Sequence, residues 1–373
     1  MKDFFIYLRN KIIRFFYKAI LKKIFFLLDP EEVHDRIIKT GIFLGSHGPT
    51  RKVTAAAFSY SNPALRQNIL GIDFPNPIGL AAGFDKNAQL SDLWPVIGFG
   101  FAELGSITGE PCQGNPKPRL WRLKKSRGLV VNYGLKNDGC EKISQRLKNK
   151  KFKIPIGISV AKTNCQETVE TEAGIEDYVR AFRKFTDIGA YFTLNISCPN
   201  AYGGLPFTDP DRLERLLKRI DDIPTDKPVF LKLPPDLTPK EADALVAVAQ
   251  KHRIHGFVCT NLTKNRNNKK ILEESVPERG GISGKVVEDL SNNLIRRVYC
   301  ATQGKYVIIG CGGVFSAEDA YKKIKMGASL IQLITGMVFE GPQIISEINQ
   351  GLVNLLKRDG LTNISQAVGR HVK

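Results

Sequence analysis

The chain has 373 residues, 42% of them hydrophobic, and a formal net charge of +18. That length and apolar content supply a large core and exclude a disordered chain. Its seven scattered cysteines form no CxxC pair and no cysteine–histidine cluster at metal spacing, which argues against zinc and iron–sulfur sites and fits a reducing compartment.

A charge of this size raises the question of nucleic acid, but its clustering points elsewhere. Phe4 to Leu28 carry Arg9, Lys11, Arg14, Lys18, Lys22 and Lys23 without one acid, interleaved with Phe4, Phe5, Leu8, Ile12, Phe15, Phe16, Ile20 and Ile24. Uncharged stretches there are too short for the roughly 20 apolar residues of a spanning helix. Lys11, Arg14, Lys18 and Lys22 step at three and four, so the pattern predicts a helix lying on an anionic membrane surface. A helix packed on its own domain and a cleaved targeting peptide are the competing readings.

Asp29-Pro30-Glu31-Glu32 starts a second helix, about Glu31–Phe43, because Asp29 can cap and proline suits the first helical position. Residues 1–45 thus form a cap of basic amphipathic helices for a membrane surface, 46–76 a polar linker, and 77–373 the main domain. In the last, eight apolar runs recur: Ile78–Ala82, Phe101–Gly105, Ile154–Ala161, Tyr191–Ile196, Val229–Leu233, Gly256–Thr260, Tyr306–Gly310 and Ser329–Ile334. Helical patterns separate them, near Ala88–Ile97, Asp138–Lys148, Ile175–Asp187, Pro210–Asp221, Pro239–His252, Val286–Ala301, Ala317–Met326 and Pro342–Lys357. Eight strand–helix units predict an α/β fold, a TIM (β/α)8 barrel, with a doubly wound sheet as the alternative.

In a barrel the chemistry gathers at the C-terminal strand ends. Found there are Ala82-Gly83 with Lys86, Ser106, Ser159, Lys232, Thr260-Asn261, Gly312-Gly313 and Thr335-Gly336, and above all Asn195-Ile196-Ser197-Cys198-Pro199-Asn200. This last string sets a thiol among amides, and asparagines offer the paired donors and acceptors that suit a planar cyclic amide such as a pyrimidine. No GxGxxG opens a strand–helix pair, so a Rossmann nicotinamide site is not expected. Glycine-rich loops at strands seven and eight suit a cofactor with one phosphate, as in FMN.

These strings resemble dihydroorotate dehydrogenase. The similarity runs through nearly the whole chain, in NPIGLAAGFDK (76–86), GNPKPRLWRL (114–123), NISCPN (195–200), LKLPPDL (231–237), GGISG (280–284), IIGCGG (308–313) and GASLIQ (327–332). The cap looks like the quinone-linked branch. The resemblance implies FMN-dependent oxidation of dihydroorotate to orotate in pyrimidine biosynthesis, electrons passing to a membrane quinone. It also implies a peripheral membrane location, on the cytoplasmic face of the inner membrane if bacterial.

By the same resemblance, Ala82, Gly83, Lys86, Ser106, Ser159, Asn195, Lys232, Thr260, Gly284, Gly312, Gly313, Thr335 and Gly336 bind FMN. Lys86, Asn132, Tyr133, Gly134, Leu135, Asn195, Asn200 and Asn261 hold the substrate. Cys198 is the catalytic base, removing a proton from substrate carbon 5 while hydride leaves carbon 6, and Lys232 stabilises charge near flavin nitrogen 1. His34 matches a histidine of the cap.

Several positions depart from the family pattern. The quinone-linked branch ordinarily has serine where Cys198 stands. Its substrate-loop asparagine becomes Val131 unless Asn132 replaces it by a one-residue shift, and its arginine is missing. Ser159 replaces an asparagine, Ile334 a tyrosine and Leu262 a threonine. These leave two other readings: an FMN oxidoreductase acting on another cyclic amide or with a soluble acceptor, and a non-catalytic membrane-associated barrel. His252 and His255, at i and i+3, read as a basic helix end rather than a metal pair. Lys264, Arg266, Lys269 and Lys270 form a charged loop that either closes over substrate or stays solvated.

Overall fold

A computed structural model describes residues 2–372. Helix α1 (Lys2–Phe16) runs through a π-helical turn, Tyr17–Leu21, into α2 (Lys22–Leu27). The wider turn accompanies burial of Tyr17, whose hydroxyl donates to the Val338 carbonyl at 2.7 Å. Asp29 ends the first rod and caps α3 (Pro30–Ser46), accepting from the amides of Glu31 and Glu32 at 2.8 and 3.0 Å.

The stretch expected to be a linker is structured. Gly48 and Pro49 break α3 but also begin α4 (Gly48–Phe58), since proline lacks only an amide that the first helical turn leaves unpaired. A hairpin follows, β1 (Gln67–Ile69) and β2 (Ile72–Phe74), joined by Leu70 and Gly71, both with positive φ (53° and 77°), as a tight two-residue turn requires.

The barrel then begins with β3 (Ile78–Leu80) and β4 (Phe101–Ile107), followed by an excursion, β5 (Leu120–Leu123) and β6 (Gly128–Val131). The units α5 (Gly139–Leu147), β7 (Ile156–Val160), α6 (Thr171–Arg183), β8 (Tyr191–Asn195), α7 (Pro210–Asp221), β9 (Val229–Leu233), α8 (Pro239–Ala249) and β10 (Gly256–Cys259) come next. After β11 (Gly281–Gly284) and α9 (Glu288–Ala301), β12 (Val307–Cys311), α10 (Ala317–Lys325), β13 (Leu330–Leu333), α11 (Thr335–Glu340) and α12 (Ile344–Arg358) complete the chain. The order β3-β4-β7-β8-β9-β10-β12-β13 closes on itself with every pair parallel, which is a TIM barrel.

One expected helix is absent: residues 88–97 form successive turns. The Asp85 carboxylate takes the Gln89 and Leu90 amides and the Trp94 indole N–H, while Leu93 and Val96 close three-residue turns on Leu90 and Leu93. Pro95 supplies no amide to continue them. Also outside the sequence reading is the antiparallel sheet β5-β6-β11, which lies over the C-terminal ends of the barrel strands.

Inside, aromatic rings fill the floor: Phe74 of the hairpin meets Phe101 edge-on at 5.5 Å, beside Tyr191 and Phe230. Glycine makes room for them. A Cβ on Gly79 would come within 2.3 Å of the Phe101 ring, and one on Gly157 within 2.2 Å of Tyr191. The floor is therefore shut, and the open end is the one that carries the polar strand termini.

Candidate active site

The structure shows what the basic stripe of the cap meets. Arg14 and Lys18 point inward, to Glu340 of α11 at 2.7 and 2.5 Å, where Arg127 also binds. Arg9 donates to the Ala56 carbonyl and to Ser346. The outer face of α1 and α2 is apolar instead, with Phe4, Phe5, Leu8, Ile12, Phe15, Phe16, Ile20, Ile24 and Leu27 all exposed. The physical reason is Glu340, a carboxylate buried at a helix end that needs cations. Among the described residues, no helix is long and apolar enough to cross a membrane.

A second weld fixes α3. Glu31, buried, takes a forked bond from the equally buried Arg119 (2.7 to 3.2 Å), with Lys117 and Lys136 within 3.8 Å. Burial works against the Glu31 charge, but these cations hold its carboxyl below the usual range.

Between cap and strand ends lies a cavity of about 370 Å³. Its deep half is lined by Ala82, Gly83, Lys86, Ser106, Asn195, Cys198, Asn200, Lys232, Thr260, Asn261, Gly284, Gly312, Gly313, Thr335 and Gly336. Its cap half is lined by Tyr17, Phe25, Phe26, Val33, His34, Ile37, Leu120, Arg122 and Ile334. Tyr133, Gly134 and Leu135 form part of the wall between the two.

Two of the expected residues stand outside this lining. Ser159 is fully buried and bonds Ser106 Oγ at 2.8 Å, so it is one layer back; its side chain is shorter than the asparagine it replaces. Asn132 turns away and accepts from Asn115 Nδ2 at 3.1 Å. Successive side chains alternate, so Val131 and Tyr133 line the cavity and the one-residue shift does not restore the amide.

A hydrogen-bonded chain fixes the deep amides. Asn195, directly across the ladder from Lys232, donates to Ser106 Oγ at 2.8 Å. Its Oδ1 accepts from Asn261 and from Ser197 Oγ at 3.2 and 3.0 Å. Asn200 donates to the Val131 carbonyl at 2.8 Å, leaving its own Oδ1 buried and without a partner among the described residues. Lys232 is balanced from within the barrel by Glu103, whose carboxylate lies 4.0 Å away and also binds Thr193 and Gln332. Sequence reasoning missed Glu103, although a lone acid in the apolar run Phe101–Ile107 was its signal.

Lys86 sits 4.0 Å over the Tyr133 ring and 3.4 Å from His34 Nε2, which also lies 3.0 Å from the Phe84 carbonyl. Burial lowers Lys86 to about 8 against the pull of Asp35, and burial with Lys86 lowers His34 to about 4, so His34 is neutral at pH 7. Burial raises the Cys198 thiol, opposed by the Asn200 amide and the charges of Lys162 and Lys232.

Arg122, also missed, donates to the Leu28 carbonyl at 2.8 Å and lies over Phe26 at 4.9 Å. The alternation in β5 was its signal, since Leu120 and Arg122 share the face opposite Trp121 and Leu123. His252 bonds Asp221 at 2.7 Å, a helix-end contact. The charged loop is held by Arg266, which donates to the carbonyls of Pro277 and Gly280, and Lys264 to Lys270 do not line the cavity.

Comparison with known proteins places this geometry. Residues 64–356 match the family model described as dihydroorotate dehydrogenase. The chain belongs to the dihydroorotate dehydrogenase family. It is similar to the dihydroorotate dehydrogenase (quinone) of Trichodesmium erythraeum, 36% identical over 95% of this chain and 98% of that one. The corresponding protein of Natronomonas pharaonis is 37% identical over 94% of this chain and 98% of its own. The crystal structure of the Eimeria tenella family member in complex with ferulenol superposes with a TM-score of 0.80 at 28% identity, covering 92% of this chain and 96% of that one.

Proposed function

We propose that this chain oxidises dihydroorotate to orotate with FMN and passes the electrons to a membrane quinone. The observation that carries the reading is convergence: Lys86, Asn195, Cys198, Asn200, Lys232 and Asn261 reach one cavity from four strand ends, and that cavity continues into an apolar cap. Quinone-named relatives match over 95% and 94% of the chain.

The residues present fit FMN. Among the described residues, the amides of Gly313 and Gly336 have no acceptor in the protein, and Gly312 and Gly313 hold φ of 122° and 75°, a backbone nest for a single phosphate. Thr335 and Ser283 hydroxyls, 2.8 Å apart, stand beside it. Ala82, Gly83, Ser106, Asn195, Thr260, Gly284 and Lys232 would hold the ring system and ribityl chain. When bound, FMN supplies the two-electron acceptor.

The chain's own residues do the rest. Lys86 offers an ammonium to the substrate carboxylate, and Asn195, Asn200 and Asn261 offer amides to the ring; the unpaired Asn200 Oδ1 suits a substrate N–H. Cys198, as thiolate, takes the carbon-5 proton. Lys232 balances charge near the flavin's far edge. The apolar outer face of the cap rests on the membrane as a peripheral contact, and the +18 charge favours anionic lipid.

The test is anaerobic bleaching: dihydroorotate should reduce the bound flavin, and a quinone analogue should reoxidise it. Unbleached flavin under excess substrate would reject the assignment. Val131, Leu262 and Ile334, aliphatic and cavity-lining, favour a second reading with another cyclic amide or a soluble acceptor. Faster reoxidation by fumarate or a nicotinamide than by quinone would select it.

A further inference from the structure

We propose that Lys162 is a positioning residue for proton removal, its buried ammonium holding the loop after Cys198 in place and stabilising the Cys198 thiolate. This rests on Cys198 being the base. Lys162 follows β7, is 4% exposed, and does not line the cavity. Its Nζ donates to the Tyr202 carbonyl at 2.9 Å and to Thr168 Oγ1 at 3.3 Å. Tyr202 lies four residues beyond Cys198, so one end of the catalytic loop is tied to a buried charge.

That charge has no carboxylate of its own. Among the described residues Lys162 makes no ion pair, and the nearby Asp177 carboxylate is occupied by the Thr163 amide and hydroxyl and by the Gly109 amide, at 2.6, 2.8 and 3.2 Å. Thr168 is likewise committed, donating to the Thr163 carbonyl at 2.6 Å. A buried ammonium with two neutral acceptors and a third N–H to spare stabilises an anion formed nearby.

The group on this tied loop that can form an anion is the Cys198 thiol, four residues before the Tyr202 carbonyl that Lys162 holds. The ionisable groups acting on Cys198 are Lys162 from β7, Lys232 from β9 and Cys112 from the loop after β4; the two lysines favour its thiolate and Cys112 opposes it. Those acting on Lys162 are Cys165, Asp177 and Cys198, all favouring its charge against burial. Tyr178 donates to the Asn195 carbonyl at 2.8 Å and stays protonated, because burial raises it. Lys232 already faces Glu103. Lys162 is therefore the less compensated of the two lysines. In the proton transfer itself the thiolate takes the carbon-5 proton and becomes a neutral thiol, the electron pair left on carbon 5 forms the double bond to carbon 6, and the hydride leaving carbon 6 would be accepted by FMN.

The experiment is pH-dependent alkylation of Cys198 by iodoacetamide in the FMN-loaded enzyme, read by mass spectrometry on the Cys198 peptide. Lys162→Gln, which keeps a donor for Tyr202 but no charge, should move the inflection up by about one pH unit and slow alkylation about tenfold at pH 7. Lys162→Arg should restore the parent inflection. Flavin reduction should follow the same shift in its pH profile, with the substrate KM changed much less than kcat. An unmoved inflection in folded Lys162→Gln would overturn the proposal, as would an Arg variant that behaves like Gln. Should Gln fail to fold, Lys162→Met with the same readout decides. Alkylation does not depend on turnover: if Cys198→Ala still reduced flavin, the base assignment would fall while the alkylation result stood.

Discussion

In the barrel, Trp94, Phe101, Tyr191 and Phe257 are shut away from solvent, while Phe4, Phe5 and Phe15 on α1 are each about two-thirds exposed (65%, 64% and 66%). The cations run the opposite way. Arg14 and Lys18 of the cap turn inward to Glu340, whereas the barrel's outer helices carry theirs toward water, as with Arg215 and Arg219 paired to α6. A soluble surface hides apolar groups and shows charge; the cap does the reverse because its inner neighbour is a charged barrel rim and its outer neighbour, on our reading, is lipid. Where the two regions meet, at the cavity, apolar lining changes to polar within one space.

The sharpest way to separate the regions is to disable one at a time. Cys198→Ala should lower dihydroorotate-driven flavin reduction about 10²- to 10⁴-fold, the usual contribution of a general base, while bound flavin and vesicle binding stay at parent levels. Stopped-flow absorbance and flotation measure both halves. Removing residues 1–28 should do the converse, abolishing vesicle flotation and depressing quinone turnover at least tenfold while flavin reduction persists, since the deep residues all lie beyond residue 80. Continued flotation of that truncation would move the membrane contact off the exposed phenylalanines.

The joint between the regions is the next target. Glu31→Gln leaves Arg119 buried without its carboxylate, a change that typically costs about 3 kcal/mol and should be seen in urea melts. The folded carboxyl lies below the unfolded value of 4.5, so the pair contributes fully above that pH and is lost as pH falls through the folded value. Parent and variant should therefore converge in acid. A constant gap down to pH 3 would mean that the loss is one of packing rather than charge.

This joint also marks where sequence reading stops. The eight barrel strands were legible because parallel strands buried on both faces leave uninterrupted apolar runs, and their termini were legible because polar strings interrupt those runs abruptly. Cys198, Lys86 and Lys232 could be placed on that basis. The direction of the cap stripe could not, because amphipathicity shows that Arg14 and Lys18 share a face without saying what the face meets. Glu340, 326 residues from Arg14, answers that only in three dimensions. Asn132 and Val131 posed a question of pleat rather than composition. The 88–97 segment is helical by pattern, but one buried carboxylate, Asp85, gathers its amides into turns.

A buried cation inside the barrel gives the smallest and most specific effect. Lys323 of α10 is fully buried, its ammonium held, among the described residues, by Ser291 Oγ and Asn292 Oδ1, each at 2.9 Å. Burial lowers it from 10.5 to about 7. Between those values the unfolded chain binds the proton that the folded chain releases, so stability rises with pH, by at most about 1.4 kcal/mol per unit. Lys86 and Lys227, both lowered to about 8, add to the same slope in parent and variant alike. The difference between parent and Lys323→Met therefore isolates one ammonium. Urea midpoints at pH 7 and pH 9 should rise more for the parent than for the variant. Parallel rises would mean that Lys323 keeps its proton in the folded core, compensated by Ser291 and Asn292 more fully than two neutral acceptors ordinarily achieve.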